Sequence, residues 1–198
     1  MSIPNKSEDV DSFDRRSRGY EASFTQFLFF DRVQHIVLDL AASGKPPATV
    51  LDIGCGTGRL LRKAAALWPG VHLIGVDPAE GMLNEARRRS PEITFHLGQA
   101  ESLPLPDASA DLVMSTLSFH HWEDQPKGIC EAARVLRPGG RFVLADILTP
   151  LRLARVFVHG RQTEPGGVRT MFTNAGLKVN YQRRRLGWIV LVTLGEVK

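Results

Sequence analysis

The sequence predicts an α/β protein built on a largely parallel sheet covered on both faces. Three observations point there. From residue 49 onward, short apolar runs alternate with helical patterns. The first run, VLDI at 50–53, breaks into the glycine turn GCGTG at 54–58. The second, VHLIGV at 71–76, is nearly continuous in apolar residues, as a strand buried on both faces should be, and ends in Asp77-Pro78.

The elements follow in order. Residues 1–19 are polar. Residues 21–40 carry a helical pattern, with Phe24, Phe27, Leu28, Val33, Ile36, Val37 and Leu40 at helical spacing. Phe29 and Phe30 add apolar surface beyond a single stripe, so they pack across the sheet, roof a substrate pocket or form a homodimer contact. SGKPP at 43–47 ends that helix. The first strand then runs into the turn, where glycine tolerates positive φ and lets a ligand lie against backbone amides, with a helix N-terminus directing its N–H groups inward. A phosphate-cradling loop would need Gly-Lys-Ser/Thr, but Gly58 is followed by Arg59-Leu60. The dinucleotide pattern would need its third glycine at position 59 and is not met either.

An acid at the end of the second strand, Asp77, is placed to accept hydrogen bonds from ribose hydroxyls. The third strand, ITFHL at 93–97, leads into GQAESLP; the fourth, ADLVMSTL at 110–117, leads into SFHHWED. Asp124 caps the next helix and Pro126 suits its first turn. Ile129, Ala132, Ala133 and Leu136 form its apolar stripe, with Cys130 expected to pack among them. LRPGG at 136–140 precedes the fifth strand, and GLKVNY with GWIVLVTL forms a final pair.

Composition is that of a globular protein: 43% apolar, 23% charged. No apolar run approaches a membrane span, and the polar start argues against a secretory signal, so the expected location is cytoplasmic. Cys55 and Cys130 read as free thiols rather than a disulfide or metal framework. The formal charge of +4 is too small to mark a nucleic-acid footprint. Of three arginine clusters, Arg87 to Arg89 sits at a helix end where cations favour the dipole, and Arg183 to Arg185 reads as a solvated strand edge. Arg15, Arg16 and Arg18 adjoin the N-terminal segment that would form a lid.

Five motifs in order, VLDIGCGTG, GVDPAEGML, GQAESLPLPDASADLV, LSFHHW and RVLRPGGRFVLAD, give the sequence a strong resemblance to the class I S-adenosylmethionine-dependent methyltransferases. The match is with the small-molecule branch that includes the ubiquinone and menaquinone C-methyltransferases, and it covers the chain from about residue 49. The resemblance implies a Rossmann-like, seven-stranded, mostly parallel sheet with an antiparallel final strand. It also implies a single domain over 1–198, with 1–45 as an N-terminal lid or helical segment and 46–198 as the cofactor-binding core.

Carried over position by position, it implies that Asp52, Gly54, Cys55, Gly56, Thr57 and Gly58 surround the methionine part of S-adenosylmethionine. Thr116 and Leu117 would lie by the sulfonium, Asp77 on the ribose, and Pro78 and Met82 beside the adenine. Gln99-Ala100 stands where the family usually has Asp-Ala, so the adenine amino group would meet a neutral acceptor. Tyr20 matches a tyrosine that closes over the cofactor. The stretch between Ile147 and Pro165 is short where many relatives insert a substrate-covering element.

His120 or His121 can take a proton from a hydroxyl or acidic carbon near neutral pH; otherwise the pair shapes the pocket. No Asn-Pro-Pro-Tyr follows the fourth strand, which argues against exocyclic-amine substrates and nucleic acid. The expected function is methyl transfer to a small organic acceptor at oxygen, carbon or nitrogen, with S-adenosylhomocysteine as product and no metal. The alternatives are methylation of RNA or protein, and a non-catalytic module that binds the cofactor or its product.

Overall fold

The computed structural model describes residues 24–147, 164–187 and 189–197. Tyr20, the cluster at Arg15 to Arg18 and most of the stretch between Ile147 and Pro165 lie outside the described residues, as do the side chains of Phe24 and Phe27.

The apolar alternation produces helix α1 (Phe24–Ala42), β1 (Thr49–Ile53), α2 (Arg59–Leu67), β2 (His72–Asp77), α3 (Glu80–Arg89) and β3 (Thr94–Leu97). It continues with β4 (Ala110–Thr116), a 3-10 turn (Phe119–His121), α4 (Gln125–Val135), β5 (Leu136–Ile147), α5 (Pro165–Asn174), β6 (Leu177–Arg185) and β7 (Val190–Val197). The seven-stranded sheet has the order β3-β2-β1-β4-β5-β7-β6. β1 to β5 pair in parallel, and β7 lies antiparallel between β5 and β6. The expected antiparallel last strand is therefore present, inserted rather than at the edge.

Alternation along the strands divides the core. Val50, Leu112, Met114, Val143 and Ala145 face α1, α2 and α3. Leu51, Ile53, Val113, Phe142 and Leu144 face α4 and α5. Asp52 follows Val50 by two, so this carboxyl, 1% exposed, points to the α1 and α2 side.

Helix ends follow the sequence signals. Asp124 caps α4 by accepting from the Lys127 amide at 3.0 Å, with Pro126 in the first turn. Gly128, Ile129, Ala132 and Val135 face inward, which turns Cys130 outward; it is exposed, against the expectation that it packs. Arg87 pairs with Glu80, and Arg88 and Arg89 pair with Glu85, so this cluster braces its own helix. Arg183 to Arg185 lie exposed on edge strand β6, two of them over the Tyr181 ring. Among the described residues no helix is long and apolar enough to cross a membrane.

Candidate functional site

A cavity opens beyond the carboxyl ends of β1, β2 and β4, where the strand order reverses, the place where open α/β sheets bind ligands. Its floor is the turn after β1. Gly54, Gly56 and Gly58 have φ of 73°, 52° and 76°. A side chain at Gly54 would collide with Ser118 as well as strain the backbone.

The turn spends its amides inside the protein. Gly54 and Cys55 donate to the Val76 carbonyl at 2.8 and 3.1 Å, Gly58 to Cys55 at 2.9 Å, and Gly56 to the Asp77 carboxylate at 2.8 Å. The expected row of inward N–H groups is thus largely consumed, and the turn is no anion nest. Gly58 does not line the cavity; its α-carbon lies against the Phe95 ring.

The cavity is instead acidic. Asp52, Asp77, Glu101 and Glu123 line it, and the Arg59 guanidinium beside them is bound to Asp31 at 2.8 Å. Burial, and after it the charge of Asp77, pushes the Asp52 carboxyl well above the usual carboxylate range. Its Oδ1 is buried with no hydrogen-bond partner. Asp77 accepts from the Gly56 amide and, at 2.9 Å, from Ala79, and it lines the cavity. Burial raises the Cys55 thiol too, which leaves it unreactive, while Thr57 is buried in the same wall.

Pro78, buried Met82, Gln99 and Ala100 form the far wall with Glu101 and Trp122. Gln99 is exposed there, whereas Glu101 is 9% exposed and accepts from the Asp124 amide. Arg134 clamps the following loop, donating to Glu131, Asp107 and the Leu103 and Leu105 carbonyls.

At the end of β4, Thr116 and Leu117 reach the cavity, Leu117 at φ 56°, a left-handed conformation uncommon for leucine. This kink carries Ser118 across β1, where its hydroxyl donates to the Ile53 carbonyl at 3.1 Å. His121 then lines the cavity. His120 turns away: its Nδ1 lies 2.7 Å from Asp146 and its amide 2.6 Å from the same carboxylate, in a buried position outside the lining.

The roof comes from α1 through Phe30 and Gln34, one helical turn apart. Asp31 binds Arg59 and Lys63 of α2, and Arg141 of β5 donates to the Ala41 and Lys45 carbonyls at the far end. Gln34 was not foreseen. Its only trace in the sequence is a glutamine beside Val33 and between the inward-facing positions of that helix.

Residues 51–144 match the family model for a methyltransferase domain. A malonyl-[acyl-carrier protein] O-methyltransferase of Methylococcus capsulatus is 40% identical over 124 residues, 59% of this chain and 45% of that protein. A demethylmenaquinone methyltransferase of Symbiobacterium thermophilum is 42% identical over 113 residues, 54% of this chain and 45% of the relative. The chain thus spans less than half the length of either. The fold is shared with a SAM-dependent methyltransferase from Aquifex aeolicus, at a TM-score of 0.71 and 19% identity, over 98% of this chain and 100% of that one. The five ordered motifs, the sheet order and the domain match agree: residues 51–144 are similar to the methyltransferase-domain family, on a fold shared with a solved SAM-dependent methyltransferase.

Proposed function

We propose that this chain transfers a methyl group from S-adenosylmethionine to oxygen, carbon or nitrogen of a small organic acceptor, leaving S-adenosylhomocysteine. The observation that carries the proposal is the acidic lining of the cavity: Asp77, Glu101 and Glu123, with the buried carboxyl of Asp52, surround a turn whose amides are largely spent, which suits a cationic ligand and not a phosphate. The cofactor, when bound, supplies an electrophilic methyl on a sulfonium. In this reading Asp77 faces the ribose hydroxyls, Pro78, Met82, Gln99 and Ala100 the adenine, and Asp52, Gly54, Cys55, Gly56 and Thr57 the amino-acid part. Thr116 and Leu117 border the reacting sulfur. The chain's main contribution is alignment for in-line displacement and exclusion of water. The names of the two relatives specify O-methylation of a malonyl group on acyl-carrier protein and methylation of demethylmenaquinone.

Titration calorimetry with S-adenosylmethionine and S-adenosylhomocysteine, followed by detection of S-adenosylhomocysteine release with acceptors of each atom type, tests this. Saturable binding with acceptor-dependent release is expected. Binding without release from any acceptor would favour the non-catalytic binding module instead.

In the same reading His121, which lines the cavity, takes the acceptor's proton. His121→Ala is expected to leave S-adenosylhomocysteine affinity within about twofold while lowering kcat on a hydroxyl acceptor by roughly 100-fold or more, read in steady-state assays. An unchanged kcat would remove this residue from proton transfer.

A further inference from the structure

We propose that Gln34 is a ligand-binding residue: its side-chain oxygen, together with the carboxyl of Asp52, receives the α-ammonium of the cofactor's amino-acid part. The inference rests on the cavity being the cofactor pocket and names a contact made from the roof.

Gln34 is 8% exposed and lines the cavity, and its Oε1 is buried with no hydrogen-bond partner. Asp52, 1% exposed, presents its Oδ1 in the same condition. Buried acceptors are nearly always paired in folded proteins, because an unpaired one forfeits its hydration for nothing. Here two occur in one cavity, on the same side of the sheet. Gln34 Oε1 accepts, and the Asp52 carboxyl becomes a full acceptor once it yields its proton, so the complementary group carries donors, and a positive charge suits the nearby carboxylates. A primary ammonium, with three N–H bonds, has that chemistry.

The position is also held ready. One turn before Gln34 along the helix, Asp31 is bound to Arg59 and Lys63, and at the other end Arg141 holds the Ala41 and Lys45 carbonyls. The helix is therefore held in place before binding, and burial of the Gln34 side chain limits the ordering entropy that opposes the contact. An apolar residue would serve the packing of α1 better, since Val33, Val37, Leu38 and Ala41 around it are fully or nearly buried.

The test compares Gln34→Met with the natural chain by calorimetry against S-adenosylhomocysteine, its desamino analogue and 5′-methylthioadenosine, which lacks the amino-acid part. The variant is expected to bind S-adenosylhomocysteine about 10-fold more weakly and the other two within about twofold of the natural chain. Its ligand-free Tm should rise by about 2–4 °C as the orphaned acceptor disappears, which also shows that it folds. Unchanged affinity for S-adenosylhomocysteine would overturn the inference, as would an equal loss for all three ligands. If the natural chain bound none of them, the reading of the cavity would fail, and the inference with it.

Discussion

Asp77→Ala is expected to weaken S-adenosylhomocysteine binding by at least about 100-fold, close to 3 kcal/mol, and to lower the stability of the ligand-free protein by about 2–4 kcal/mol. The two losses have one origin. Asp77 accepts from the Gly56 and Ala79 amides, so it ties the glycine turn after β1 to the start of α3 before any ligand arrives. The same carboxylate is the one proposed for the ribose hydroxyls. Alanine orphans two amides and removes two charge-assisted contacts to ligand together. Partial relief comes from Asp52, which no longer feels a neighbouring negative charge. Calorimetry and a urea melt measure the two effects separately. A folded variant with unchanged affinity would refute the ribose contact, and unchanged stability would refute the bracing of the turn.

Asp52→Asn should move stability and affinity in opposite directions. The folded protein holds the Asp52 proton while the unfolded chain releases it above about pH 4. The contribution of Asp52 to ligand-free stability is therefore greatest at low pH. It falls by about 1.4 kcal/mol per pH unit as pH climbs from 3.8 toward the raised folded value. Asparagine keeps the shape and abolishes this dependence, so the variant should melt higher at neutral pH.

A cation beside Asp52 favours its charged form, so cofactor binding to the natural chain should expel a proton and tighten with pH. Calorimetry in buffers of different ionisation enthalpy counts that proton. In the Asn variant the release should vanish and affinity should fall by about 10-fold to 100-fold. Tighter binding by the variant at pH 7 would contradict the assignment.

The local features of the site were legible because they are consecutive in sequence. The glycine turn, Asp77 at a strand end and the Thr116-Leu117 pair each follow a strand, and a parallel sheet brings all strand ends of one sense to one rim. Two things were not legible. The use of the turn amides depends on the Val76 carbonyl and the Asp77 side chain across the strand pair, so glycine spacing alone gave a ligand lying against free backbone amides. Gln34 and Phe30 reach the cavity because α1 packs across β4 and β5, and helical periodicity gives the buried stripe without saying which end overhangs the sheet. The His120-His121 pair shows the same limit at a single peptide bond: the 3-10 turn and Asp146 send one ring back into the protein and leave the other on the cavity wall.

Leu117 bears on how this chain can drift over generations. A leucine at φ 56° spends about 1–2 kcal/mol that glycine or asparagine would not, yet its side chain packs against the core cluster under α1 and its amide holds the Ala145 carbonyl at 2.8 Å. Substitution there is therefore one-sided: glycine exchanges packing for ease, while valine, isoleucine or threonine would add branching to a conformation that already crowds the Cβ. The tolerance of residues 118–122 to change is set upstream, at a position whose own alternatives are few, so the side chains of that loop can diversify without altering the path it takes.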